Sequence, residues 1–240
     1  MLKTVTVTGA DESISPWELV PIAMQYPFVE FGILMSGKES RPRFPTAKAW
    51  VEDLHLVKER HGIRLAAHLC GRLAREFLVG EYVPIDYALY GRYQINTHGI
   101  VHPFDHAKLR STVNFLTRGG SQVIFQHDDV NSRAMLACRG PDPGDCFFSK
   151  DLDVAALFDL SHGGGILPDS WPSPLDGIPC GYAGGLSPDN VAEQIAKISK
   201  AAGDVDFWID AETHLRSHDD QVFDLDKVRR FLDAARPHVK

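Results

Sequence analysis

Short runs of β-branched and aromatic residues alternate with helical patterns along all 240 residues of the chain. Parallel strands need crossover connections, usually helices, so this alternation indicates repeated βα units around a parallel sheet. Eight units can be counted, with strands at residues 4–8, 28–35, 63–69, 93–97, 122–127, 154–160, 179–182 and 206–209. The first strand lacks the G-x-G-x-x-G turn of an open dinucleotide-binding sheet. We therefore predict an α/β fold, a single-domain (β/α)₈ barrel over residues 1–240.

Helix-start signals support this division. Ser15 followed by Pro16 is typical of an N-cap and a first helical position, and Ser187 followed by Pro188 repeats the pattern after the seventh strand. Further helices are predicted at about 46–61 and 225–235. Residues 77–92 fit neither pattern clearly, and residues 138–150, which are rich in Pro and Gly, are predicted to form a loop.

Composition excludes several classes of partner. The formal net charge of −7 is spread along the chain without a basic block, so we predict no nucleic-acid partner. No run has the length of a membrane span, and the N-terminus lacks the apolar stretch of a signal peptide. The four cysteines form no C-x-x-C pair and are predicted to be reduced cytoplasmic thiols: Cys70, Cys138, Cys146 and Cys180. We predict no cofactor, and a homodimer is left open.

Polar residues fall at the C-terminal side of many predicted strands. They are Thr8, His68, Asn96, His127, Asp159, Asp210 and Glu212. In a barrel these positions converge on one mouth, where the active sites of this fold lie. The pattern therefore predicts a site for a small-molecule substrate at that mouth.

The turn after the seventh strand contains Gly184 and Gly185, directly before the predicted helix start at Ser187. Glycines let the backbone approach a ligand closely, and backbone N–H groups at a helix N-terminus favour an anion. Barrels often hold phosphate in the loops after strands 7 and 8, so this turn is a candidate phosphate site.

Residues 181–191, with Asp159 at the end of the run 157–159 and the glycines at 163–165, resemble phosphoribosylanthranilate isomerase. The resemblance covers most of the chain. It includes residues 31–34 with the Ser/Arg loop at 40–43, the run 93–96, and residues 168–171. It implies a phosphate-binding barrel of tryptophan-biosynthesis type that isomerises an aminoaldose phosphate to an aminoketose.

The resemblance also implies an acid and a base. Asp159 matches the family's general acid at the end of strand 6. The family's base is a Cys at the end of strand 1, where this chain has Thr8. A threonine hydroxyl is too weak an acid to supply a base without a helper. His68 and His127 are therefore preferred over Thr8, and the carboxylates nearest in sequence are Asp11, Glu12 and Glu30.

The substrate-binding residues that the resemblance implies are Arg41 or Arg43, as partners of a substrate carboxylate. The last strand departs from the family pattern, because Asp210 and Glu212 stand where a phosphate-holding backbone is expected. Two carboxylates repel a phosphate dianion. We therefore predict an isomerase or lyase-type proton transfer on a small sugar-derived substrate, with or without a phosphate.

Two other functional classes remain open. Strand-end imidazoles and carboxylates could serve a metal-dependent epimerase or hydrolase, with His98 and His162 joining the residues named above. Alternatively, the chain is a non-catalytic barrel that binds a small ligand and lost its chemistry together with the Cys.

Overall fold

The computed structural model describes residues 1–37, 42–98, 103–128, 132–138, 152–159, 161 and 164–240. Its parallel strands form a closed barrel in chain order, and β8 pairs with β1 to complete the closure. The strands are β1 (Leu2–Thr8), β2 (Val29–Met35), β3 (Leu65–Leu69), β4 (Arg92–Ile95), β5 (Gln122–His127), β6 (Val154–Asp159), β7 (Cys180–Ala183) and β8 (Phe207–Ala211). The predicted (β/α)₈ barrel is confirmed, with strand bounds within about two residues of those expected.

Helices connect the strands on the outside. They are α1 (Leu19–Gln25), α2 (Lys48–His61), α3 (Gly71–Leu78), α4 (His106–Arg118), α5 (Ser132–Ala137), α6 (Val191–Ala202) and α7 (Leu225–Ala235). Short 3₁₀ turns lie at Pro16–Glu18, Thr213–Leu215 and Arg236–His238. Within the described ranges, no helix combines the length and the apolar character that crossing a membrane requires. Most of the predicted loop at 138–150 lies outside the described residues.

The two predicted helix starts have different outcomes. The Ser15 side chain accepts a hydrogen bond from the turn and Glu18 reaches back to the Ser15 N–H, so this cap is confirmed. The start at Ser187 is wrong, because α6 begins at Val191. The Asn190 side chain accepts from the Ser187 N–H at 2.9 Å and donates to the Gly185 carbonyl, which holds a turn in front of the helix.

Alternate residues of each strand face the helices or the barrel interior. The helix-facing residues form the main hydrophobic core, while the interior is divided into an apolar and a polar half. The apolar half is formed by Ile124, Ala155, Leu157, Ala183 and Trp208, on strands β5 to β8. The polar half, on strands β1 to β4, contains Thr6, Glu30, His68, Arg92 and Gln94, all of them buried or nearly so.

Internal pairing stabilises the polar half. The Glu30 carboxylate accepts a hydrogen bond from Thr6 at 3.0 Å and forms an ion pair with Arg92 at 3.2 Å. The Arg92 guanidinium also lies 4.5 Å from the centre of the Trp208 ring, where a cation–π contact bridges the polar and apolar halves. These contacts compensate for much of the cost of burying charge inside a barrel.

A buried ion pair ties the loop after β1 to the loop after β8. The Arg216 side chain is fully buried, and its guanidinium lies 2.6 Å from the Asp11 carboxylate. The same guanidinium donates to the Gly9 carbonyl and pairs with Asp220 at 2.7 Å. Arg216 therefore holds together the two loops that meet where the barrel closes.

We expect Arg216→Met to lower the free energy of unfolding by about 3 kcal/mol or more, since it leaves the buried Asp11 carboxylate without its cation. Denaturant unfolding monitored by circular dichroism measures this change. Arg229→Met is the matched control, because Arg229 is partly exposed and its pair with Asp226 spans 3.5 Å at the surface. We expect a loss below about 0.5 kcal/mol there. Equal losses in the two variants would contradict the assignment.

Candidate functional site

A cavity of about 550 Å³ opens at the C-terminal ends of the strands. Seven of the predicted site residues line it: Arg43, Asn96, Asp159, Gly184, Gly185, Asp210 and Glu212. Thr8 and His68 are buried within the barrel and contact the cavity floor through Asp210 and Gln94. Arg41 lies outside the described residues. The closed barrel therefore brings together side chains from six of its strands and the loops that follow them.

Asp210 forms part of the cavity floor. Its Oδ1 accepts a hydrogen bond from the Thr8 hydroxyl at 2.7 Å, and its Oδ2 lies 3.5 Å from Gln94 Nε2. Burial raises the pKa of Asp210 to about 7, and the negative charges of Glu212 and Asp159 act in the same direction. The hydrogen bond from Thr8 opposes this rise. Asp210 is thus a carboxyl group that changes charge near neutral pH.

Asp159 ends β6 on the same interior face, and Ala183 of β7 pairs with both Asp159 and Asp210. Its Oδ1 accepts from the Ser161 N–H at 3.0 Å and from the Ser161 hydroxyl at 2.7 Å. Its Oδ2 accepts from Gln126 Nε2 at 3.2 Å. Asp159 therefore acts as an acceptor in all of these contacts.

His68 lies in the barrel interior with 1% of its surface exposed. Its Nδ1 is 3.2 Å from Gln94 Nε2 and 3.9 Å from the Asp210 carboxylate. Burial and the positive charge of Arg92 lower the pKa of His68 to about 3, so its ring is neutral at physiological pH. In a neutral imidazole, one ring nitrogen donates a hydrogen bond and the other accepts one.

His127 is not brought into the cavity. It shares the helix-facing side of β5 with Val123 and Phe125, and its ring packs 5.2 Å from the ring of Phe158. The interior position next to it is Gln126, which contacts Asp159. The two-residue period of the strand separates His127 from the site residues.

The three carboxylates considered near strand 1 are also engaged elsewhere. Asp11 pairs with Arg216, and Glu30 pairs with Arg92. Glu12 accepts from the Thr46 N–H and, at 2.6 Å, from the Ala47 N–H, just before α2. None of these carboxylates lines the cavity.

Arg43 lies on the cavity wall, but its guanidinium is already paired. It contacts Glu212 on one side, and it reaches Asp220 on the other at 2.7 and 3.0 Å. Burial raises the pKa of Glu212, although the charge of Arg43 opposes this effect. A substrate carboxylate would have to displace one of these two partners. The structure therefore gives Arg43 a role in fixing loops, rather than an open guanidinium.

The Gly184–Gly185 turn lines the cavity, with positive φ angles of 114° and 63°. A Cβ on Gly185 would lie 2.3 Å from the Leu167 nitrogen, and one on Gly184 would lie 3.0 Å from the Ile166 carbonyl oxygen. Packing against the loop after β6 thus accounts for both glycines without a ligand. The Ser187 N–H, an expected anion donor, is bonded to Asn190.

Several cavity-lining residues were missing from the predicted set of site residues, and two of them, Gln94 and Cys70, contact the predicted residue Asn96. Gln94 precedes Asn96 by two residues and therefore shares its interior face, which is a signal that the sequence contains. Cys70 follows β3 and accepts a hydrogen bond from Asn96 Nδ2 at 3.4 Å. Burial raises the pKa of the Cys70 thiol to about 12, so it is not a thiolate that could replace the missing base of strand 1.

The metal-dependent alternative has little geometric support. Among the residues that the structure describes, no three His, Cys, Asp or Glu side chains come together in a way that could hold a metal ion. His162, one of the imidazoles considered for this role, lies outside those residues.

Comparison with known proteins supports the fold. No family model and no curated protein matches the chain. Among solved structures, N-(5′-phosphoribosyl)anthranilate isomerase from Pyrococcus furiosus is similar, with a TM-score of 0.52, 15% identity and 98% of each chain covered. Phospho-2-dehydro-3-deoxyheptonate aldolase from Thermotoga maritima is similar with a TM-score of 0.56 and 12% identity, over 98% of this chain and 68% of that one. The resemblance found in the sequence is thus confirmed as a shared barrel fold with a diverged sequence.

Proposed function

We propose that the chain is a barrel enzyme that transfers a proton within a small, hydroxyl-rich substrate without a phosphate group. The observation that carries this proposal is the pair of carboxyl groups, Asp159 and Asp210, which line the same cavity and have different hydrogen-bond partners. Pairs of titratable groups that their surroundings drive apart are typical of acid–base catalysis.

Asp210 is the proton donor of the pair. Burial raises the pKa of Asp210 to about 7, so Asp210 is protonated in a large fraction of the protein molecules at neutral pH. A catalytic group is most effective when its pKa lies near the working pH. The same group can take the proton back after donation, so it need not exchange with bulk water in each cycle.

Asp159 is the proton acceptor. The donors of Ser161 and Gln126 contact both of its oxygens, so Asp159 is an acceptor in each of these hydrogen bonds. This assignment reverses the role that the resemblance implied for Asp159, which was that of the acid. The roles differ because Asp210, absent from the family pattern, supplies the protonated carboxyl.

The reaction that fits this pair is an aldose–ketose type isomerisation. Asp159 removes a proton from the carbon beside a carbonyl group, and Asp210 protonates the carbonyl oxygen, which gives an enediol. The Asp210 carboxylate then takes the proton of the enediol's other hydroxyl group, and Asp159 delivers its proton to the former carbonyl carbon, so both carboxyl groups return to their starting states. One C–H bond breaks and one forms, so no oxidant or reductant is needed.

The charge of the cavity determines the class of substrate. Its described lining includes Asp159, Asp210 and Glu212, while the guanidinium of Arg43 is already paired. A phosphate dianion in this cavity would be repelled by the ionised carboxylates of its lining. Amide side chains such as Asn96 can bind hydroxyl groups without a charge requirement.

Proton exchange with solvent tests the proposal. Small aldoses, ketoses and their phosphates are incubated with the protein in D₂O, and loss of the C–H signal beside the carbonyl is followed by ¹H NMR. We expect exchange of an unphosphorylated compound, slowed by about 100-fold or more in Asp210→Asn and in Asp159→Asn. Asp176→Asn is the control, because Asp176 is exposed and outside the cavity. Undiminished exchange in the two cavity variants would contradict the acid–base pair, and exchange confined to phosphates would contradict the charge argument.

The raised pKa of Asp210 also predicts how stability depends on pH. Between the ordinary aspartate pKa of 3.8 and the raised pKa of about 7, the native state holds a proton on Asp210 that the unfolded state releases. This group's contribution to stability is therefore complete below about pH 4 and is lost as the pH rises to about 7. We expect Asp210→Asn to gain about 4 kcal/mol in unfolding free energy relative to wild type between about pH 4 and about pH 8, at about 1.4 kcal/mol per pKa unit.

Denaturant titrations of both proteins at each pH measure this gain. Other ionisable groups are common to both proteins, so they cancel in the difference. Asp176→Asn again serves as the control and should show a difference from wild type that does not change with pH. A constant difference for Asp210→Asn would mean that Asp210 ionises as an exposed carboxyl does.

A further inference from the structure

Buried polar atoms without a hydrogen-bond partner lie directly beside the proposed proton donor. His68 Nε2 and Gln94 Oε1 are two such atoms, and both residues are almost fully buried on the barrel interior. An unmet hydrogen bond on a buried polar atom is costly, so each such atom calls for an explanation.

His68 Nε2 and the Thr8 hydroxyl both pack against Gly32. A Cβ placed on Gly32 would lie 2.2 Å from Thr8 Oγ1 and 2.9 Å from His68 Nε2, so both atoms occupy the region where a side chain at this position would be. Thr8 already donates to Asp210 and its oxygen can still accept. The two atoms are not hydrogen-bonded to each other in the structure, so joining His68 to Asp210 through Thr8 requires one of the two side chains to rotate.

We propose that Thr8, His68 and Gln94 form a reversible hydrogen-bond chain that supports Asp210 in both its protonated and its ionised form. This inference rests on the proposed role of Asp210 as the group that gains and loses the proton. Thr8, His68 and Gln94 are positioning residues, since they act on the substrate only through Asp210.

The chain has one direction when Asp210 is ionised. Thr8 donates to Asp210 Oδ1 at 2.7 Å. After the rotation, His68 Nε2–H donates to Thr8 Oγ1. His68 Nδ1 then has no proton and accepts from Gln94 Nε2, which lies 3.2 Å away. Every step uses a neutral group next to the buried carboxylate, so no second charge is buried.

The direction reverses when Asp210 is protonated. Asp210 donates to Thr8 Oγ1, and the Thr8 hydroxyl donates to His68 Nε2. The His68 proton then resides on Nδ1 and is donated to Gln94 Oε1 after the amide turns over. The partnerless Gln94 Oε1 of the ionised arrangement is thus the acceptor that the other arrangement uses.

The reversal continues to the cavity wall. Gln94 Nε2 donates to Asn96 Oδ1 at 3.0 Å, and Asn96 Nδ2 donates to the Cys70 sulfur at 3.4 Å. When Gln94 turns its amide, Asn96 turns with it, and the Cys70 thiol donates to the Asn96 oxygen. The raised pKa of Cys70, which burial sets at about 12, keeps that proton in place.

The charged neighbours keep the proton change on Asp210. Glu212 of the following loop and Asp159 of β6 face Asp210 and raise its proton affinity. Arg92 of β4 acts on His68 and, with burial, keeps the pKa of the ring at about 3. His68 therefore changes tautomer and not charge when Asp210 titrates.

The tautomer of His68 can be read directly by NMR. The protein is labelled with ¹⁵N-histidine, long-range ¹H–¹⁵N spectra are recorded from about pH 5 to about pH 9, and His68 is assigned by its loss in His68→Gln. We expect a neutral ring throughout, with the proton on Nε2 at high pH and on Nδ1 at low pH. In Asp210→Asn the tautomer should be the same at every pH.

Two Thr8 variants test whether the His68 tautomer follows the charge of Asp210 through the Thr8 hydroxyl or only because the two residues are close. Thr8→Val removes the hydroxyl at nearly constant shape and should abolish the pH-dependent change of tautomer, while Thr8→Ser should retain it. A His68 ring that becomes charged, a single tautomer in wild type, or a switch that persists in Thr8→Val would overturn the proposal. If Thr8→Val does not fold, wild type against Asp210→Asn still decides.

This measurement needs no substrate, so its outcome is separate from that of the proposed function. A tautomer switch without proton exchange on any sugar would support the hydrogen-bond chain and contradict the proposed enzyme reaction. Proton exchange by wild type with a fixed His68 tautomer would support the proposed reaction and contradict the hydrogen-bond chain.

Discussion

Pairing of β1 with β8 is the constraint on which the site depends. Closure places Thr6 beside Asp210 in register, and two residues later Thr8 reaches the same carboxyl group from a position 202 residues away in sequence. In an open sheet these two strands would be opposite edges, and the hydroxyl would have no contact with Asp210. The buried pair of Arg216 and Asp11 strengthens this seam just beyond the strand ends.

The divided interior of the barrel explains why Asp210 behaves unlike an ordinary carboxyl. Interior positions of such barrels are commonly filled by bulky apolar residues, and here β5 to β8 follow that rule. Asp210 stands on the apolar side, two residues after Trp208, yet it faces the polar residues of β1 to β4. Apolar surroundings favour its protonated form, and the neighbouring hydroxyl and amide groups stabilise the ionised form. The balance leaves both forms accessible near neutral pH.

Strand positions and their polar ends could be predicted because both follow from local patterns. The side of β5 on which His127 lies could also be predicted, because His127 shares it with the apolar residues Val123 and Phe125, which marks it as the helix-facing side. The pairing of Arg43 could not be predicted, because Asp220 lies 177 residues away and no local pattern links the two. The sequence could not show why the turn at Gly184 and Gly185 contains glycine, because close approach by a ligand and close approach by another loop both require this residue.

The sequence departs from the isomerase pattern that it resembles at Thr8 on strand 1 and at Asp210 on strand 8, and the structure links the two departures because these side chains are in contact. A Cys on strand 1 would carry its own proton chemistry, whereas Thr8 can only pass or support a proton that another group holds. A carboxyl on strand 8 would repel the phosphate of that family, but it supplies the titratable group that Thr8 lacks. The Thr8 hydroxyl needs an acceptor, Asp210 needs a donor, and the two meet at 2.7 Å. In the proposed function, one pair of residues therefore accounts both for an acid–base group on strand 8 in place of one on strand 1 and for a preference for substrates without a phosphate.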